Sequence, residues 1–256
     1  MKANRSDWYK YGWSLDIKEQ SWTENTKEQV DFIEKSLALK GDEKILDLAC
    51  GYGRHSLEFA RRGYTVTGVD LTRAYIEDAR KCARKEKLNV DFICEDIRKV
   101  TFCEQYDVVL NIADGAIGYL ENDEENAKIF DVIEKVLKPG GKSFMDIQSG
   151  DYADAHFPQQ LWDAGENGLT LSSFEWNPES RIMLYGQKDF AYGDKIYKPE
   201  MPCGNPTRLY TQKEIEEIMI TQGMKVLSTY CDYCGTPASE KGFQLIVYSR
   251  KMLNLI

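Results

Sequence analysis

The chain has 256 residues and a net charge of −9, a length that fits one domain or one domain carrying a large insertion. Hydrophobic residues at 42% and charged residues at 29% are ordinary globular usage, which excludes disordered and fibrous classes. The acidic balance disfavours nucleic acid and anionic membrane as partners.

Apolar runs such as Tyr106–Ile112 are far shorter than the roughly 20 residues of a membrane span. MKANRSDWYKYGW lacks the apolar stretch of a secretory signal. The 7 cysteines show no disulfide-like spacing and read as reduced thiols of a cytoplasmic protein.

In chain order, residues 1–43 open with a polar-aromatic segment and continue into an amphipathic helix, Lys27–Leu39, with Val30, Ile33 and Leu37 in phase. Lys44–Cys50 reads as a strand ended by Gly51-Tyr-Gly53, and Ser56–Arg62 as a helix stopped by Gly63. Tyr64–Val69 is a second strand and Ala74–Lys87 a second helix. Val90–Cys94, Tyr106–Asn111 and Lys142–Ile147 supply three more strands. Between the last two lies a helix over Glu124–Leu137, closed by the turn residues Lys138-Pro139-Gly140-Gly141. Strands alternating with helices over 44–148 imply βαβ units and a parallel sheet.

The rhythm breaks over 149–208. Alternating runs, Leu169–Phe174 and Arg181–Tyr185, flank the hairpin spacer Trp176–Ser180, which predicts an antiparallel β insertion. Residues 209–256 return to α/β order with a helix over Thr211–Thr221, where Thr211 and Glu214 form a capping box, and the strands Lys225–Cys231 and Phe243–Ser249.

Glycines at the end of a first parallel strand let a ligand approach the backbone. A dinucleotide fingerprint needs a third glycine where this chain has Ser56, so that pattern fails. Asp70, closing the second strand, is placed to accept both hydroxyls of a ribose. Asp47, inside the first strand, suits a ligand with an ammonium-bearing tail. Asp96 after the third strand can accept from an adenine amino group, and Ile97 can pack on its ring. Each acid singly also fits a turn or cap; together, at the carboxyl ends of three strands, they point to a site.

Ile45–Arg54, Val66–Leu71, Glu95-Asp96-Ile97, Tyr106–Asn111 and Val136–Gly141 together resemble class I S-adenosylmethionine-dependent methyltransferases. Gly51–His55, Gly118-Tyr119, the β insertion and Arg208–Ile215 look like the small-molecule branch of that family. The resemblance implies a doubly wound, Rossmann-like α/β fold: a mostly parallel seven-stranded sheet with a reversed last strand, plus the antiparallel insertion. It implies S-adenosyl-L-methionine as cofactor, with Asp47 and the Ala49–Gly53 turn (Ala49, Cys50, Gly51, Gly53) flanking the methionine moiety. Asp70 would hold the ribose, Leu71 and Ile97 would sandwich the adenine, Asp96 would bind its amino group, and Asn111 would lie under the sulfonium.

Methyl transfer by in-line displacement needs positioning and exclusion of water more than it needs a nucleophile or a metal. A general base is needed only where the acceptor must lose a proton. His55, beside the glycine turn, is the base candidate by composition, but the reading favoured for it is a helix-start residue packing against the N-terminal segment. Tyr119 is placed to shape or polarise an acceptor pocket. Asp114 either recognises a cationic or amine acceptor or caps a following helix. Tyr11, Trp13 and Trp22 belong to an N-terminal aromatic segment that suits a lid over the acceptor or simple packing. Cys231-Asp-Tyr-Cys234 lacks the partners of a zinc site, so no metal is expected.

The leading reading is methyl transfer to N or O of a small-molecule acceptor by a cytoplasmic monomer or homodimer. A non-catalytic cofactor-binding regulator and a macromolecular acceptor remain alternatives.

Overall fold

The computed structural model describes residues 1–253. Its elements run β1 (Lys2–Ala3), α1 (Thr26–Leu37), β2 (Lys44–Leu48), α2 (Arg54–Arg61), β3 (Thr65–Asp70), α3 (Arg73–Glu86), β4 (Val90–Cys94), β5 (Tyr106–Asn111), α4 (Asp123–Val136) and β6 (Leu137–Gln148). There follow α5 (Gly150–His156), β7 (Gln159–Ala164), β8 (Gly168–Asn177), β9 (Ile182–Ala191), β10 (Cys203–Arg208), α6 (Gln212–Thr221), β11 (Met224–Tyr230) and β12 (Gln244–Lys251).

A seven-stranded sheet in the order β11-β12-β6-β5-β2-β3-β4 forms the centre. Strands β6 to β4 are parallel, and β12 runs antiparallel to both its neighbours, so the last strand is reversed. In a strand covered on both faces, successive apolar residues feed opposite cores. Ile45 packs with Val30, Ile33 and Leu37 of α1 on one face. Leu46 and Leu48 pack with Ile129, Ile133 and Ile215 on the other. That double coverage explains why the central strands read as unbroken apolar runs. Among the described residues, no helix is long and apolar enough to cross a membrane.

A second sheet, β1-β10-β9-β8-β7, is antiparallel except where β1 joins β10 in parallel. It carries its own small core of Ala153, Phe174, Met183 and Leu209. Two sequence expectations are corrected here. Lys138–Gly141 does not end the helix as a free turn; β6 runs through it as a bulge, with Leu137 opposite Tyr106 and Lys142 already opposite Val108. The insertion also opens on a helix, α5, whose N-cap Ser149 accepts from Tyr152 N at 3.2 Å. Seven residues of small and polar character gave that helix no periodic signal.

Candidate active site

Apart from the N-terminal aromatics, the singled-out residues lie at or just beyond the carboxyl ends of β2, β3, β4 and β5. After β2 the backbone turns through left-handed Ala49, Gly51 and Gly53. A side chain on Gly51 would meet nothing within 4 Å, so open space adjoins the turn where a ligand's backbone contact belongs. Asp70 Oδ2 accepts from Gly51 N at 2.9 Å and Oδ1 from Thr72 N at 2.7 Å, tying the first two loops together. Burial raises the pKa of Asp70.

Asp47 is 1% exposed and accepts from Ser56 Oγ at 2.6 Å. Ser56, which stands where a dinucleotide fingerprint has glycine, therefore anchors the strand acid instead. Burial, with the nearby Asp70 charge adding, pushes Asp47 up to about 7. Cys50 is buried, and desolvation pushes its thiol up, so it is an inert wall.

Leu71 is 37% exposed at the end of β3 while Ile97 is buried, which leaves an apolar face beside the β3 and β4 loops. Asp96 caps the turn at Ile97–Lys99 and accepts from Arg98 Nη2 at 2.6 Å. Burial opposes its charge, but the Arg98 bonds prevail and hold its carboxyl below the usual range. Arg98 also bonds Glu121 at 3.3 Å and Tyr9 Oη at 3.3 Å, linking this loop to the N-terminal segment.

Asn111 is fully buried, its Nδ2 donating to Leu48 O at 3.0 Å and Gly115 O at 2.6 Å, while its Oδ1 has no donor. An orphaned acceptor at the end of β5, the open turn at Gly51 and the exposed Leu71 together fit a nucleoside carrying a cationic tail.

The loop after β5 runs through left-handed Ala113, Asp114, Gly115 and Ala116. No helix starts there, so Asp114 is not a helix cap; α4 is capped by Asn122. The Asp114 carboxylate turns inward, where Oδ2 accepts from Tyr119 Oη at 3.1 Å and Gln148 Nε2 at 3.3 Å. Burial and neighbouring Asp146 push it up to about 7. Asp146, at the end of β6, accepts from Tyr233 Oη at 2.7 Å, and burial pushes it up to about 6. Gly118 has φ +88, and a side chain there would strike Arg208 O at 2.0 Å, so glycine lets the insertion's last strand press against this loop. The result is a narrow cleft, closed too tightly to hold a molecule until its walls part, lined by Asp114, Tyr119, Ile147, Gln148, Thr207 and Arg208, among others.

The aromatic segment divides. Trp13 stacks on Tyr119 at 6.1 Å, and Trp8 packs against both, 4.9 Å from Tyr119 and 5.5 Å from Trp13. Tyr11 is 71% exposed and lies 5.3 Å from the Arg5 guanidinium, and Trp22 sits 5.6 Å from that of Arg54, so neither joins this trio. His55 pairs with Gln29 Oε1 at 2.8 Å against α1. Burial, then the Arg54 charge, lowers its pKa well below the usual value, so it is neutral near pH 7.

Trp8 belongs to the aromatic segment that the sequence singled out, but its Nε1 bond to Pro206 O at 3.0 Å, which clamps the N-terminus to the insertion, was not legible there. Asp146, Gln148 and Tyr233 reach the site from β6 and from the loop after β11, with no local motif to mark them. Arg54 was legible as the charge following the glycine turn. It bonds the neutral Gln29 at 2.6 Å and Thr26 at 3.0 Å, and desolvation lowers its pKa.

Residues 45–141 match the family described as methyltransferase domain. Over that segment the chain is similar to methyltransferase domains. The chain is 27% identical over 228 residues to putative methyltransferase YqeM of Bacillus subtilis, covering 88% of this chain and 90% of that protein. It is 31% identical over 117 residues to the ubiquinone biosynthesis O-methyltransferase of Coxiella burnetii, covering 45% of this chain and 47% of the relative, so it spans about half that protein's length. The methyltransferase fold extends past the matched core. An S-adenosylmethionine-dependent methyltransferase from Clostridium acetobutylicum superposes with a TM-score of 0.73 at 19% identity, covering 89% of this chain and 92% of the other.

Proposed function

We propose that this methyltransferase transfers a methyl group to N or O of a small molecule, bound in the cleft between the loop after β5 and the returning end of the insertion. The observation that carries the reading is the make-up of that cleft. Asp114 and Tyr119 come from the core's ligand-facing edge, and Thr207 and Arg208 come from β10, so the insertion walls the place where an acceptor meets the cofactor.

Bound at the β2–β4 loops, S-adenosylmethionine supplies an electrophilic methyl whose bond to sulfur breaks, with its electron pair, as the acceptor's bond to carbon forms. The chain's residues hold and shield. Asp70 would take the ribose, Leu71 and Ile97 would flank the adenine, and Asp96, already bonded to Arg98, would accept from its amino group. Asp47 and the Ala49–Gly53 turn take the methionine moiety, and Asn111 Oδ1 faces the sulfonium end. Trp8 and Trp13 act as a lid over Tyr119, excluding water once the acceptor is in place. His55 positions α2 through Gln29.

Titration calorimetry with S-adenosylmethionine and NAD, followed by a screen of amine, phenol and carboxylate metabolites for released S-adenosylhomocysteine, tests this reading. Binding of S-adenosylmethionine alone, with turnover of at least one small acceptor, is expected. NAD binding without an S-adenosylmethionine signal would sink it.

A further inference from the structure

Among the described residues, the buried side-chain oxygens without a donor are Asn111 Oδ1, Asp114 Oδ1, Gln148 Oε1 and Ser143 Oγ. Asp114 and Gln148 are bonded to each other through their other atoms, at 3.3 Å, and both line the narrow cleft. The two unpartnered oxygens thus belong to side chains that are bonded to each other beside that cleft. A buried acceptor left unmade costs about 1–3 kcal/mol, more when charged, so this pair demands a ligand that brings more than one N–H or O–H. An alcohol or phenol brings one, and a carboxylate brings none. An ammonium brings three on a single atom, with the charge that a buried carboxylate lacks.

The surroundings agree. Asp146 stands behind Asp114, adding negative potential. Tyr119 on the same loop and Tyr233 after β11 each bond one of these acids. The cations nearby are already engaged. Arg208 bonds Glu214 at 2.6 Å and lies 3.3 Å from Asp123, its guanidinium over the Tyr210 ring, and Arg54 bonds Gln29 and Thr26.

We propose that the acceptor is a small primary or secondary amine, held as its ammonium by Asp114 Oδ1 and Gln148 Oε1, and that Asp114 takes the proton which frees the nitrogen lone pair. This rests on the methyltransferase reading above. One N–H proton passes to Asp114 Oδ1. The freed pair forms the N–C bond, while the C–S pair stays on sulfur, giving S-adenosylhomocysteine. The methylated amine leaves, and Asp114 returns its proton to solvent.

Binding to the full chain saturated with S-adenosylhomocysteine separates this from the broader reading. The probes are aryl, cyclic, sugar and amino-acid amines, benzylamine and piperidine among them, against benzyl alcohol and benzoate, followed by calorimetry and tryptophan fluorescence. Amines are expected to bind in preference to their oxygen counterparts, with affinity rising between pH 6 and 8 as Asp114 ionises through about 7. Asp114→Asn, which keeps the shape and tolerates the left-handed backbone, should weaken the best amine about 10- to 100-fold and flatten that rise. Gln148→Met should weaken it less and keep the pH dependence. Preference for alcohols or carboxylates, no amine bound, or an Asp114→Asn variant with wild-type amine affinity would each overturn the inference. Loss of S-adenosylhomocysteine binding by the wild-type chain would instead strike the methyltransferase reading itself.

Discussion

The candidate cofactor edge and the proposed acceptor cleft lie side by side on one sheet, and each keeps a buried oxygen without a donor, but their acids differ in how fully they are bonded. At the cofactor edge each acid already has a protein donor: Asp47 has Ser56, Asp70 has the amides of Gly51 and Thr72, and Asp96 has Arg98. That edge is stiffened in advance, so binding there costs little ordering. In the cleft, Asp114 and Gln148 keep oxygens without donors and Asp146 adds charge, so the pocket is incomplete until something fills it. On the proposed reading the cofactor half is prebuilt, while the acceptor half keeps buried oxygens for an incoming molecule to satisfy.

The comparison breaks most visibly if the two halves are uncoupled. Shortening the β8–β9 hairpin within 168–191 should abolish acceptor turnover while S-adenosylmethionine affinity stays near wild type, checked by calorimetry and a product assay. If trimming instead dissociates an oligomer and leaves kinetics per subunit intact, the insertion is an interface and not a cover.

Asp70→Ala comes next in size. Loss of charge-assisted bonds should weaken S-adenosylmethionine by about 1.5–3 kcal/mol. Because Asp70 also ties the β2 and β3 loops, the ligand-free melting temperature should fall too, which differential scanning calorimetry would show. A variant with wild-type affinity would mean that the ribose is held elsewhere.

Trp13→Ala sharpens the lid. Its stacking on Tyr119 is an aromatic pair of about 0.5–1.5 kcal/mol, so KM for the acceptor should rise a few-fold while S-adenosylmethionine binding is unmoved. Equal losses for both ligands would make the segment ordinary packing.

The smallest effect is on stability. Asp47 and Asp114 are pushed up to about 7, and Asp146 to about 6, all by burial. Acids with raised folded-state pKa values bind more protons folded than unfolded. These acids should therefore cost the ligand-free protein stability progressively as pH rises from about 4, where they titrate unfolded, with the loss levelling off above about 7. Asp114→Asn should raise the melting temperature at pH 8 by about 2–4 °C, a shift that corresponds to roughly 1 kcal/mol at this chain length. Saturating amine should remove the same penalty in the wild type.

The amino-acid sequence by itself determined the parallel βαβ core and the placing of the candidate cofactor residues, because a strand, its turn and the next helix start are neighbours in the chain; the reversed last strand was legible only through the family resemblance. Asp47, Gly51 and Ser56 fall within ten residues, and hydrophobic alternation with glycine turns places them without any tertiary information. Asp114 and Tyr119 were legible for the same local reason, though the inward aim of Asp114 was not. Only the tertiary structure decided the acceptor cleft. Gln148 and Asp146 come from the end of β6, Arg208 from the insertion's return, Tyr233 from the loop after β11 and Trp8 from the N-terminus, and no periodicity records which of these meet. What brings them together is packing of distant elements: the approach that Gly118 allows to Arg208, and the Trp8 bond to Pro206. Chain neighbours alone cannot specify such contacts, since their energy appears only when both partners are buried together.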